Sequence, residues 1–208
     1  MQMKRLPGKT VERLSGYRRN LLGYLAAGNK YIYSHEIAAL LHITAVQVRR
    51  DLMLIGYSSV QKKGYDVKEL ISTIGDIIDS DKGQNVAVIG IGNLGRAITS
   101  YFKGKRSKLN IVASFDNDPQ KVSRVIAGVR CYHIDQMEDI VKEQNINIAL
   151  LTVPPDYAPA TAKAAIKSGI KGILNFTTVP LNVPQNIYLE EYDMITSIEK
   201  LAYFVKEG

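Results

Sequence analysis

Three glycines and one acid carry the most chemistry in this chain. Gly90, Gly92 and Gly95 stand in the run Gly90-Ile91-Gly92-Asn93-Leu94-Gly95, with Arg96 following directly, and Asp116 lies further on. A glycine at the first position permits a tight turn, the second lets the backbone approach a pyrophosphate, and the third lets helix and strand pack closely. The N–H groups at the helix start then face phosphate charge. Asp116 can accept both ribose hydroxyls of an adenosine, and its charge repels a 2′-phosphate. Asp118 adds to that repulsion, so NAD(H) is expected over NADP(H), with Lys121 and Arg124 close enough in sequence to matter.

These residues need a frame. Asn85-Val86-Ala87-Val88-Ile89 reads as a buried strand, Arg96 to Phe102 as a helix, and Ile111-Val112-Ala113-Ser114-Phe115 as a second strand ending in Asp116. Strand, glycine turn, helix, strand and acid together form the dinucleotide-binding arrangement. The alternation continues through strands at Val129 to Tyr132, Ile148 to Val153 and Lys171 to Asn175, with helices at Asp135 to Glu143 and Tyr157 to Ser168. That rhythm predicts an α/β fold with a parallel, doubly wound Rossmann-type sheet. Ligands in such sheets sit at the carboxyl ends of the strands. Those ends are Gly90, Asp116, Thr152-Val153-Pro154 and Asn175-Phe176, so one ligand can reach all four.

An oxidoreductase of this kind usually adds a substrate domain with an acid or base. After Asn175 only about thirty residues remain, and no Ser/His/Asp or Lys/Tyr grouping stands out. No enzyme and no catalytic residue are expected: the nucleotide is sensed rather than spent. His35, His42 and His133 lack ligand spacing, so no metal is expected. Cys131, the single cysteine, reads as a packed small hydrophobe.

The N-terminal segment reads differently. Val11, Leu14, Tyr17, Leu21, Leu22, Tyr24 and Leu25 recur at helical spacing until Gly28-Asn29. A short helix follows from a Ser34 cap through Leu41, then a tight turn at His42-Ile43. Thr44 opens a third helix with Gln47 in capping-box position. Val48, Leu52 and Ile55 form its core stripe, which places Val46, Arg50 and Met53 opposite and Gln47 and Arg49 on the flanks. A capped helix bearing Arg49 and Arg50, after a short helix and tight turn, describes a recognition helix offered to a major groove. Arginine meets guanine or phosphate, and glutamine reads adenine. Residues around Lys62-Lys63-Gly64, between Val60 and Val67, are expected to form a basic hairpin, the wing of a winged helix, and Lys68 to Asp79 a connecting helix.

Charge agrees with this division. The chain of 208 residues has net charge +7. Residues 1–80 hold 12 Lys and Arg against 7 Asp and Glu, and residues 81–208 hold 15 against 13. The excess in the first part fits a polyanionic partner and fits a basic solvated surface equally well, and charge alone does not choose between them. The expected domains are 1–80, winged helix with connecting helix; 81–190, Rossmann; and 191–208, a C-terminal helix. In that last helix Ile195, Ile198, Leu201, Ala202, Phe204 and Val205 make a wide apolar face, expected across a partner subunit. The absence of an apolar leader or membrane-length segment and the single cysteine point to a cytoplasmic setting.

Gln47-Val48-Arg49-Arg50-Asp51-Leu52, Gly90-Ile91-Gly92-Asn93-Leu94-Gly95-Arg96, Phe115-Asp116-Asn117-Asp118-Pro119, Gly169-Ile170-Lys171-Gly172-Ile173-Leu174-Asn175-Phe176 and Leu181-Asn182-Val183-Pro184 occur in that order. With them the chain, over about residues 10–206, resembles the Rex family of redox-sensing transcriptional repressors. The resemblance implies a winged-helix domain, an NAD(H)-binding Rossmann domain and a C-terminal helix exchanged in a homodimer. It implies a palindromic double-stranded DNA operator that is released when NADH binds. It also assigns Arg19, Tyr101 and Asp193 to a conformational switch, with Tyr101 near the nicotinamide. The chain departs from the family at Met53-Leu54-Ile55-Gly56, at Val60-Gln61-Lys62-Lys63 in the wing, and at Pro159 and Thr178 near the ligand. Two other readings stand beside this one: a DNA-binding regulator sensing CoA or an adenine nucleotide, and an NAD-dependent oxidoreductase.

Overall fold

The computed structural model describes residues 6–58, 63–102 and 108–206. The chain divides into two compact units, Met1–Asp81 and Lys82–Gly208.

In the first unit the elements run α1 (Gly8–Ala26), β1 (Tyr31–Ile32), α2 (Ser34–Leu41), α3 (Ala45–Leu54), β2 (Tyr65–Asp66) and α4 (Val67–Ile78). Leu14, Tyr17 and Leu21, at i, i+3 and i+7 of α1, meet Ile37 and Ala38 of α2, Val48 and Leu52 of α3, and Leu70 and Ile74 of α4 in one apolar core. His42 turns the chain between α2 and α3 in the left-handed conformation, at φ 53°. Thr44 caps α3, its hydroxyl oxygen accepting the Gln47 N–H at 3.2 Å. The expected Ser34 cap is one residue out. Ser34 is the first helical residue and Tyr33 stands at the cap, its N–H donating to Glu36 Oε2 at 2.7 Å.

Only part of the expected hairpin between Val60 and Val67 falls within the described residues. Tyr65–Asp66 pairs antiparallel with Tyr31–Ile32, a strand absent from the sequence reading. The strand stops there because the Asp66 carboxylate accepts the Glu69 N–H at 3.0 Å and opens α4 at Val67. Val60, Gln61 and Lys62 lie outside the described residues.

The second unit carries a seven-stranded sheet among its described residues, from β3 (Gln84–Ile89), β4 (Leu109–Asp116), β5 (Val125–Ile126), β6 (Val129–His133), β7 (Ile146–Leu151), β8 (Gly172–Asn175) and β9 (Tyr188–Glu191). Its order is β5-β6-β4-β3-β7-β8-β9, parallel throughout except for the antiparallel β5 at the edge. Without β5 this is the doubly wound order of two mononucleotide-binding halves, with the reversal between β3 and β7. The helices are α5 (Asn93–Phe102), α6 (Met137–Glu143), α7 (Ala158–Lys167) and α8 (Met194–Lys206). Buried Ala87, Ile89, Phe115, Ala149 and Leu151 of the central strands pack with Met137, Val141, Ala158, Ala162 and Ala165 of α6 and α7.

Helix α8 buries no residue in this chain. Ile195, Ile198, Leu201, Phe204 and Val205 are each more than half exposed, Val205 at 77%. No helix among the described residues is long and apolar enough to cross a membrane.

Candidate nucleotide site and nucleic-acid surface

The carboxyl ends of β3, β4 and β7 meet at the strand-order reversal, and the glycine run connects β3 to α5 there. Each glycine is placed for a different reason. Gly90 has φ +92°, and a Cβ on it would stand 2.8 Å from the Thr152 carbonyl oxygen. A Cβ on Gly95 would collide with the Gly90 carbonyl oxygen and lie 3.0 Å from Thr152 Oγ1, so α5 sits directly on the loop and strand beneath it. At Gly92 a Cβ would meet nothing within 4 Å. This glycine faces open space, which is what the approach of a pyrophosphate requires. Helix α5 begins at Asn93, earlier than expected, with the Arg96 N–H donating to the Gly92 carbonyl at 2.9 Å. Asn93, Leu94 and Arg96 are exposed around this start. The Arg96 side chain turns back, Nε donating to the Ile91 carbonyl at 3.3 Å.

Asp116 closes the other side. Buried to 8% exposure, it accepts the Ile91 N–H on Oδ2 and the Asp118 N–H on Oδ1, each at 3.0 Å. The acid is thereby fixed against the glycine loop. Lys121 Nζ lies 3.1 Å from Asp116 Oδ2 and 3.5 Å from Asp118 Oδ2. A carboxylate offers about four lone-pair sites, so the two backbone bonds leave room for two more donors once Lys121 moves aside. Two is the number of hydroxyls on an adenosine ribose.

Other expected site residues brace the loop or shape its neighbours. Thr152 donates its N–H to Ile89 O at 2.9 Å and its hydroxyl to Gly90 O at 2.7 Å, clasping β7 to the glycine turn. Val153 packs against Gly90, and exposed Pro154 leads into the turn before α7. Asn175 is buried and spent on its own loop: Nδ2 donates to Val179 O at 2.9 Å, and Oδ1 accepts the Thr177 N–H at 3.0 Å. Phe176 stacks at a tilt on Tyr192, centroids 5.5 Å apart. Tyr101, near the end of α5, is 68% exposed. Asp193 caps α8, accepting the Ile195 N–H at 2.8 Å and the Thr196 hydroxyl at 2.6 Å, and these bonds hold its carboxyl below the usual range. Arg19 is an exposed residue of α1. Its neighbour Arg18 makes the structural contact, Nη1 to Asp79 Oδ2 at 2.7 Å, fastening α1 to the end of α4.

On the first unit, the cap residue Thr44 and Val46, Arg49, Arg50 and Met53 of α3 are exposed, with Gln47 half-buried; Lys63 is exposed beyond them. Lys62 falls outside the described residues. Arg49 Nη1 donates to Ser34 Oγ at 3.1 Å, joining α3 to the start of α2. The residue that sequence reasoning missed is Asp51. Its side chain is fully buried, with Arg13 Nε 2.6 Å from Oδ2, Arg13 Nη2 2.8 Å from Oδ1, and the Tyr17 hydroxyl 2.7 Å from Oδ2. Gln47 Nε2 adds a fourth bond, to Oδ1 at 3.0 Å. Burial pushes the carboxyl up, but the bonds from Arg13, Tyr17 and Gln47 outweigh it and hold Asp51 below the usual range. Burial beside that carboxylate pushes the Tyr17 hydroxyl up, keeping it a donor. An acid between Val48 and Leu52, on the stripe that must face the core, was the available signal.

A helix-turn-helix unit joined to a Rossmann unit with a dinucleotide fingerprint defines the class of protein. Two family models match parts of it: "CoA binding domain" over residues 81–179 and "Putative DNA-binding protein N-terminus" over residues 5–52. The redox-sensing transcriptional repressor Rex of Listeria welshimeri is 35% identical over 202 residues, covering 97% of this chain and 94% of the relative. Rex of Anoxybacillus flavithermus is 35% identical over 205 residues, covering 99% and 96%. Among solved structures, RSP in complex with β-NAD+ and operator DNA matches with TM-score 0.89 and 33% identity over 98% of this chain and 94% of that one. RSP in complex with β-NADH matches with TM-score 0.86 and 32% identity, covering 98% and 96%. The chain belongs to the Rex family of redox-sensing transcriptional repressors.

Proposed function

We propose that this protein represses transcription by binding a palindromic operator as a homodimer in the cytoplasm, and that NADH bound to its Rossmann unit releases it. The observation that carries the reading is the end-to-end likeness to Rex, which runs through both units rather than one. The chain is a regulator in this reading, and no residue is assigned to catalysis.

The ligand is NAD(H). Its pyrophosphate lies over Gly90, Gly92 and Gly95 at the start of α5, beside Asn93, Leu94 and Arg96. Its adenosine ribose takes the place of Lys121 on Asp116, with Asp118 adjacent. Thr152, Val153, Pro154, Asn175 and Phe176 shape the second half of the pocket, and Tyr101 serves the nicotinamide end. The match to a CoA-binding model favours a second reading, in which the same unit takes CoA. The acid argues against it: CoA carries a phosphate on its ribose, where Asp116 and Asp118 place negative charge. On DNA, Thr44, Val46, Gln47, Arg49 and Arg50 enter the major groove, and Lys62 and Lys63 of the wing meet the backbone or minor groove. Arg19, Tyr101 and Asp193 form the switch, and α8 packs its apolar face on the partner subunit.

The test is titration onto an operator selected from random DNA, at fixed salt, with NADH, NAD+, CoA or no ligand. Release by NADH and not by NAD+ or CoA is the expected result. Operator binding indifferent to all three refutes the sensor.

A further inference from the structure

The Asp51 network has a consequence for how DNA sequence is read. A carboxylate only accepts hydrogen bonds, whereas the end of a glutamine carries a donor face and an acceptor face. With Asp51 ionised, the group that Gln47 turns toward it must be the NH2, and Nε2 does lie 3.0 Å from Oδ1. Arg13 and Tyr17 hold the carboxylate from the α1 side, so it cannot swing away to release the amide. Gln47 Oε1 has no hydrogen-bond partner in the described chain. Every buried side-chain nitrogen or oxygen among the described residues does have one, so this oxygen is open to solvent. It is therefore a fixed acceptor beside exposed Val46 and Arg50.

We infer that Gln47 is a specificity-determining residue that reads an exocyclic amine in the major groove, adenine N6 or cytosine N4, and that Asp51 is the positioning residue that fixes this choice. This rests on the DNA-binding reading of α3. In the major groove adenine and cytosine present an amine, whereas guanine and thymine present only acceptors and the thymine methyl. The second N–H of the Gln47 amide remains for adenine N7, so adenine is preferred to cytosine. Asp51→Asn changes the logic. An asparagine amide can donate to Gln47 Oε1, letting the glutamine turn over and offer its NH2 to the groove instead.

The experiment uses the full chain and its selected operator. A series of duplexes has single exocyclic amines removed, purine replacing adenine or 2-pyrimidinone replacing cytosine, one position of the half-site at a time. Wild type is expected to lose about tenfold in affinity at one such position, the scale of a single specific base contact. Gln47→Ala is expected to be indifferent to that deletion while still binding. Asp51→Asn, where its thermal transition shows a folded protein, is expected to lose sensitivity to the same amine and to tolerate guanine or thymine there. A merely structural role for Asp51 would weaken all duplexes alike. If Gln47→Ala keeps the wild-type response to every amine deletion, the inference is wrong. If wild type selects no operator at all, the DNA-binding reading fails, and this inference with it.

Discussion

Two alanines placed three residues apart in the glycine run should separate a glycine needed by the fold from one needed by the ligand. At Gly95 the added methyl meets the Gly90 carbonyl oxygen, with Thr152 Oγ1 at 3.0 Å and Val88 Cγ1 at 3.1 Å. Backbone cannot yield as a flexible side chain can, so α5 must lift from β3. Overpacking of this kind costs about 1–3 kcal/mol, enough to lower the melting temperature of the Rossmann unit by several degrees. At Gly92 the methyl meets nothing within 4 Å, and the glycine's φ needs no special conformation, so Gly92→Ala should melt as wild type does. That methyl nevertheless fills the space assigned to the pyrophosphate. Thermal melts with and without NADH read both effects. A ligand at a hundred times its Kd stabilises the folded state by about 2.7 kcal/mol, several degrees that wild type should show and Gly92→Ala should lack. DNA binding by Gly92→Ala should persist and become indifferent to NADH. A Gly92→Ala protein with the full NADH shift would refute the assignment of that space. A Gly95→Ala protein with an unchanged melt would refute the packing argument.

Other consequences are simpler. Asp116→Ala should weaken NADH by about 1.5–3 kcal/mol, the worth of hydrogen bonds to a charged group, or roughly ten- to hundredfold in Kd; equal NADH titrations for the two proteins would remove Asp116 from the ribose. Ile198→Glu with Leu201→Glu should give a monomer by sedimentation that binds a half-site weakly, and an unchanged dimer would move the interface elsewhere. Asp51 makes the first unit acid-sensitive. Its folded pKa is depressed, so its stabilisation is present above the unfolded value of about 3.9 and is lost as pH falls through the lowered folded value. Asp51→Asn should accordingly flatten the acid limb of stability against pH below about 4; an identical limb would show that other carboxylates govern it.

The two halves were legible to different depths. The Rossmann unit could be read because apolar runs such as Val86 to Ile89 and Ile148 to Leu151 are bounded by glycine, acid or proline, and because a parallel sheet buried on both faces leaves few alternatives. Strand β5 escaped notice: two residues, Val125 and Ile126, are too short for any period to register. In the first unit the helices followed from Leu14, Tyr17 and Leu21 and from the Thr44 cap. The pairing of Tyr31–Ile32 with Tyr65–Asp66 did not, since nothing local links strands more than thirty residues apart. Asn175 illustrates the other limit. Its position at a strand end is visible in sequence, but the turn of its amide onto Val179 and Thr177 is decided by loop geometry that the pattern does not encode.

How a nucleotide in one unit changes DNA affinity in the other is a question of differential binding. NADH can displace operator only if it prefers the arrangement that fits DNA poorly; moving the population from one extreme to the other takes about 5.5 kcal/mol of preference. In the proposed dimer the geometry makes such leverage possible. Two recognition helices must meet half-sites about 34–36 Å apart, and any change in their separation acts on both contacts at once. Under the proposed switch, helix α8 is the element that imposes the change. Its apolar face is unburied within the chain, and its first turn is fixed by Asp193, whose carboxylate is committed to Ile195 and Thr196. A competing donor near the nicotinamide, the role proposed for Tyr101, would act on the residue that starts this helix. The cap and the switch would then be the same carboxylate, so Asp193→Ala should uncouple NADH binding from DNA release while leaving the affinity for NADH at the glycine loop intact.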